Sequence, residues 1–154
     1  MSGATVTVDI GEMQKLAGIL NHSALSASDR QSLMKGLGTE IVEQSRSRIL
    51  ETQRDPEGNQ WQDYADSTLR GLKAKGLANV VSLLHRSGTL QSSIEVQRKS
   101  SWDVLVGSVM EYAAVHQWGY KKRNIPARPY LGLSTDDIAD LTNLAALFLK
   151  GKIG

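Results

Sequence analysis

The chain of 154 residues has no cysteine, three prolines and one phenylalanine, and aromatic residues make up only 5% of it. Without cysteine there are no disulfides and no thiolate metal sites, so a reducing cytoplasm is the expected place of synthesis. No apolar run approaches the roughly 18 to 20 residues that a membrane-spanning helix needs, and no membrane partner is expected. The opening "MSGATVTVDIGEMQ" has neither a basic start nor an apolar stretch, so no secretory signal is expected. What is present is ordinary globular material, with 40% hydrophobic and 22% charged residues. One α+β domain over residues 1–154 is the natural expectation at this length.

Charge is spread unevenly behind a net +2. Residues 67–128 hold ten Lys/Arg against three acids (+7), whereas the remainder holds eight against thirteen (−5). Such polarity suits a nucleic-acid surface, identical subunits meeting acidic face to basic face, or plain solvated surface.

Periodicity outlines the elements. Val6, Val8 and Ile10 alternate with polar residues as in a half-buried strand. Met13, Leu16, Ile19 and Leu20 have the spacing of a short helix. A long helix is predicted from Ser28, as cap with Gln31 three residues on. Its apolar residues Leu33, Met34, Leu37, Ile41, Val42 and Ile49 cover about half the circumference, which calls for more than one packing neighbour. Gly36 and Gly38 weaken it by about 1 kcal/mol each unless packing offsets them. "RDPEGNQW" closes this element in a turn, and a short helix is predicted from Asp66 as cap through Leu69 and Leu72, stopping at Gly76. A break at Ser87-Gly88 precedes a helical turn carrying Leu90. Ile94 and Val96 face Trp102, Val104 and Val106 across a predicted hairpin. After Gly107 a helix is predicted through Trp118, closed by Gly119 in the left-handed region. "IPARPYLGL" must be extended, because Pro126 and Pro129 forbid helix. A last helix starts at Ser134, boxed with Asp137. Leu147 falls outside its apolar arc and asks for a second surface. The expected fold is a small, mainly antiparallel sheet packed by the long helix and the terminal helix.

Chemistry concentrates in "YAAVHQWGYKKRNIPARPY", Tyr112 to Tyr130. No nucleophile-elbow or zinc-helix motif accompanies His116, and His22, His85 and His116 lack metal-ligand spacing. Glu111 lies five residues from His116, about 140° away around a helix, so the two cannot share a metal. A packed structural histidine is the expectation, with Tyr112 and Tyr120 each four residues away. "GLGTE" at 36–40 lacks the lysine of a phosphate loop. Lys121, Lys122, Arg123 and Arg128 lie among aromatics, a combination that can contact nucleic acid, though no established nucleic-acid motif is present.

The order of the motifs is more specific than any one of them. Pro56, Gly58 and Trp61 form P-x-G-x-x-W; Gly88 and Leu90 form G-x-L. Val106 and Gly107 lead to Tyr112, Ala113, His116, Gln117, Trp118 and Gly119, and "PARPYLG" closes the set. In this order, over residues 28–150, the chain resembles the virion-morphogenesis, or tail-completion, family of Mu-like tailed bacteriophages and prophages. Trp118 replaces the family's usual phenylalanine, and "LHRSG" its usual Leu-x-x-Thr-Gly. The resemblance implies a structural protein, not an enzyme, with no catalytic residue, metal or cofactor. It implies synthesis in the host cytoplasm, a place in the virion at the tail or head-to-tail junction, and a homo-oligomeric ring, commonly of six. Tail tube or head connector proteins are the implied partners, with non-specific DNA contact or a capsid-assembly role as the alternative. Lys121, Lys122, Arg123, Pro126, Arg128, Pro129 and Tyr130 are the assembly candidates, the prolines stiffening an arm toward a neighbour. Arg128→Ala is expected to weaken assembly and leave the fold intact. Pro56, Gly58, Trp61, Gly88, Leu90, Gly107, Tyr112, His116, Gln117, Trp118 and Gly119 are the expected structural set.

Overall fold

A computed structural model describes residues 4–8, 25–77, 83–85, 87–98 and 103–153. The long helix α1 spans Ala27–Ser47. Its cap is Ser26 rather than Ser28: the Ser26 hydroxyl accepts from the Asp29 N–H at 3.1 Å. "Ser-Ala-Ser" offers two caps, and the earlier one places Asp29 in the first turn, where the helix dipole favours a carboxylate. Leu33, Met34, Leu37, Ile41, Val42 and Ile49 are all buried. α1 continues into a π-helical turn, Arg48–Thr52, that ends when Gln53 adopts φ 52° and donates its N–H to the Arg48 carbonyl at 2.8 Å. The helix therefore stops ahead of Pro56. That proline sits in a turn where Asp55 Oδ1 accepts from the Asn59 N–H at 2.8 Å and Gly58 takes φ 90°.

The sheet is antiparallel in the order β1 (Ala4–Val8), β3 (Val104–Ser108), β2 (Glu95–Arg98). Val106 faces Val6 on one side and Val96 on the other. The predicted hairpin is thus present, and the first strand pairs on the opposite edge of β3. Ile10, the helix predicted around Met13 to Leu20, and Trp102 lie outside the described residues. α1 crosses the sheet at Gly38, where an added Cβ would come 2.9 Å from Val96 Cγ1. Close approach is what this glycine contributes in exchange for its helical weakness.

Shorter helices are α2 (Asp66–Ala74), α3 (Thr89–Ser93) and α4 (Ala113–Trp118). Asp66 opens α2 as its first helical residue, with Ala65 at the cap. Gly88 precedes α3 at φ 76°, and Leu90 is buried. α4 starts four residues later than the pattern suggests, because Ser108 Oγ takes the Met110 N–H at 3.1 Å and the chain turns before it coils.

The terminal helix α5 spans Thr135–Ile153. The predicted box is formed: Ser134 Oγ accepts from the Asp137 N–H at 3.0 Å, and Asp137 Oδ2 accepts from the Ser134 N–H at 2.8 Å. α5 lies along α1, with Leu141, Ala145 and Leu149 buried, while α1 also packs on β2 and β3. α1 therefore serves two neighbours, the physical reason for its wide apolar stripe.

Candidate functional site

Residues of three motifs, Pro56 and Trp61, His116 and Gln117, and the P-A-R-P stretch itself, meet at the extended segment 126–132, which has no strand partner among the described residues. A buried backbone without a ladder must find other hydrogen-bond partners, and here side chains supply them. Gln117 Oε1 accepts the N–H groups of Tyr130 (3.1 Å) and Leu131 (3.0 Å), while its Nε2 donates to the Leu131 carbonyl at 3.0 Å. Trp61 Nε1 donates to the Pro129 carbonyl at 3.1 Å. Arg48 Nη1 donates to the carbonyls of Tyr130 (3.2 Å) and Gly132 (3.1 Å), and its Nη2 pairs with Asp137 Oδ2. The Tyr130 ring is fully buried, its hydroxyl donating to the Ala113 carbonyl at 3.1 Å. Burial raises the Tyr130 pKa well above that of a free phenol. Burial also lowers the Arg48 pKa, against the opposing pull of Asp55 and Glu57. Gly132, at φ 137°, lies so close to Pro56 that an added Cβ would be 2.6 Å from its Cγ.

Arg128 belongs to this clasp. It is buried, donates from Nε to the Gln62 carbonyl at 2.8 Å and from Nη2 to the Asp63 carbonyl at 3.1 Å, and stands 5.2 Å from the Tyr64 ring centroid. The expectation that it faces a neighbour is corrected, because two main-chain acceptors and a ring hold the guanidinium inside its own subunit. The same correction applies to the arm: the Arg128 N–H donates to the His116 carbonyl at 2.8 Å, and residues 126–132 are bound back to their own chain.

His116 is half-buried, with Nδ1 shielded and without a hydrogen-bond partner. Burial first, and the charge of Arg128 second, lower its pKa. Its ring meets Tyr112 edge-on at 5.9 Å, as the four-residue spacing predicts. Tyr120 is not its helical neighbour, since α4 ends at Trp118. Gly119 is not a left-handed cap either. At φ 76° and ψ 174° it turns the chain back so tightly that a Cβ would lie 2.8 Å from the Ala127 nitrogen.

Lys121, Lys122 and Arg123 form a 3₁₀ turn between Tyr120 and Ile125, whose N–H and carbonyl groups bond reciprocally at 2.8 and 3.1 Å. All three basic residues are exposed. Trp118 beside them is 62% exposed. The basic segment therefore divides into an inward Arg128 and an outward tip. Among the described residues no group of three or more His, Asp or Glu side chains could hold a metal ion.

The phage virion morphogenesis family matches residues 11–150. The chain belongs to that family. Two curated relatives are similar to it: the putative capsid assembly protein G of Escherichia phage Mu, 35% identical over 96 residues, and the Mu-like prophage FluMu G protein 1 of Haemophilus influenzae, 24% identical over 101. The matches cover 58% and 66% of this chain, and the chain spans 60% and 67% of those two relatives. No solved structure matches it significantly. In this family member the P-x-G-x-x-W turn, the His-Gln helix and the P-A-R-P segment are three sides of one clasp. Sequence reasoning missed Arg48, whose place in a buried ion pair has no local signal, and it read Asp137 only as a cap. An arginine within an otherwise apolar helical stripe, six residues after Val42, was the one hint available.

Proposed function

We propose that this chain is a structural component of the phage particle that acts in tail completion or head-to-tail joining by assembling with itself into a ring. Family membership carries the reading. A clasp that binds Trp61, Gln117, Arg128 and Tyr130 inside the fold supports it, because these motif residues then maintain a rigid shape. The outward surface adds the means of assembly: a basic tip, acidic residues on α1 and α5, and Leu147, 70% exposed, on the far side of α5. The ring would form in the host cytoplasm, remain in the virion, and meet tail tube or head connector proteins. No helix among the described residues is long and apolar enough to cross a membrane.

Electron microscopy of particles made with and without the protein tests this reading. Tails of irregular length, or tails and heads that fail to join, are expected in its absence; normal particles would overturn it. A second reading, a capsid-assembly or DNA-contacting accessory, is favoured by the exposed Lys121–Arg123 turn next to Trp118. The DNA-contacting form of this reading requires DNA binding that weakens steeply with salt.

A further inference from the structure

Two charged surfaces of this chain have no ionic partner among the described residues. One is the tip formed by Lys121, Lys122 and Arg123, which makes no ion pair with any described residue. The other is a cleft of about 580 Å³ where the C-terminal half of α1, the Pro56 turn and the first turns of α5 meet. Glu40, Asp136 and Asp140 line it with no ion-pair partner among the described residues, Asp55 is held only by the neutral Asn59, and Glu43 is held by Arg46 at 2.9 Å. The two arginines of the cleft are already engaged, Arg48 by Asp137 and Arg54 by the Gly58 carbonyl at 2.9 Å. A second feature points to a ligand. Gln44, nine-tenths buried, lines the same cleft and donates from Nε2 to the Asp137 carbonyl at 3.3 Å, yet its Oε1 has no donor. A shielded amide oxygen that has no donor among the described residues is an acceptor that an N–H group entering the cleft can satisfy.

We propose that the basic tip of one copy seats in this cleft of the next copy. The inference rests on the reading that the chain assembles with itself, and it names the two surfaces that meet. Three tip cations face an excess of carboxylates without ion pairs, and the acidic cleft would repel a nucleic-acid backbone. The tip is pre-formed by the Tyr120–Ile125 bonds and by Asn124 at φ 52°, so docking orders little new backbone. Trp118 and Tyr120 supply apolar surface beside the charges, the residue types that commonly anchor interfaces. Because tip and cleft are different patches, the contact is heterologous, and repetition of one rotation closes a ring or extends a filament.

Mass photometry and analytical ultracentrifugation across a concentration series test it, with circular dichroism as the folding control. Lys121→Glu/Lys122→Glu/Arg123→Glu should weaken self-association at least about tenfold, and Glu40→Lys/Asp140→Lys should do the same. A chain carrying both sets should recover it, as should a mixture of the two variants, since each then offers the other a complementary surface. Asp136 is left in place because it serves the α5 N-terminus; Glu40→Gln/Asp140→Asn serves if the lysine pair fails to fold. Wild-type oligomers that neither variant disturbs would overturn the interface and leave self-assembly standing. A wild-type protein that stays monomeric at every concentration would overturn both. If reversing the tip instead abolishes salt-sensitive binding of a short DNA duplex and leaves the oligomer unchanged, the tip belongs to nucleic acid and the proposal falls.

Discussion

Residues 118–125 and 126–132 adjoin in sequence and are written in the same alphabet of basic, aromatic and turn-forming residues, yet they face opposite ways. In the second, Arg128, Tyr130 and the backbone around them are buried and bonded to Gln117, Trp61, Arg48 and the carbonyls of residues 62 and 63. In the first, Trp118, Tyr120 and three cations face solvent on a turn closed only by its own backbone. Residue type did not decide between these fates. The number of main-chain polar groups that the fold had to satisfy did, since an extended buried segment without a strand partner recruits any donor or acceptor within reach.

The contrast can be broken most forcefully from the clasp. Arg48→Met should cost about 3 kcal/mol in urea unfolding, because the part-buried Asp137 loses its counter-charge and two carbonyls lose their donor. Gln117→Ala should cost about 2 to 4 kcal/mol by the same measurement, since the N–H groups of Tyr130 and Leu131 then have no acceptor. Arg128→Ala should lower stability by about 2 kcal/mol through two lost hydrogen bonds and the Tyr64 contact; unchanged unfolding with weakened assembly would restore the outward role first expected of it.

Acid should act on the same side of the divide. Burial and Arg128 hold the folded His116 pKa below the usual value of about 6.5, so between the two values the unfolded chain binds more protons. Stability from this group is full above that range and falls as the pH drops through it, by at most about 1.4 kcal/mol per pH unit. His116→Gln should flatten the decline in a series of unfolding midpoints. The smallest effect belongs to the tip: Lys121→Ala/Lys122→Ala/Arg123→Ala should shift stability by no more than about 0.5 kcal/mol, because nothing in the fold depends on these side chains.

Elements with a repeating pattern were legible before any coordinates. The apolar stripe of α1, the Ser134–Asp137 box, the 94–107 hairpin and the exposed Leu147 all follow from periods of 3.6 or 2 and from local capping chemistry. Caps and ends were less legible: Ser26 replaced Ser28 because its hydroxyl takes the Asp29 N–H, and α4 began at Ala113 because the Ser108 hydroxyl takes the Met110 N–H. The clasp itself was read only as a set of motifs, and its partners are 12 to 89 residues apart along the chain.

The sequence by itself determined the α+β class, the core faces of α1 and α5, and the family, since these depend on residue type, local spacing and the order of the motifs. Only the tertiary structure decided which arginines turn inward. The Arg48–Asp137 pair and the Arg128 bonds join residues separated by 89, 66 and 65 positions, and no local rule reports which distant carbonyl will lack a donor.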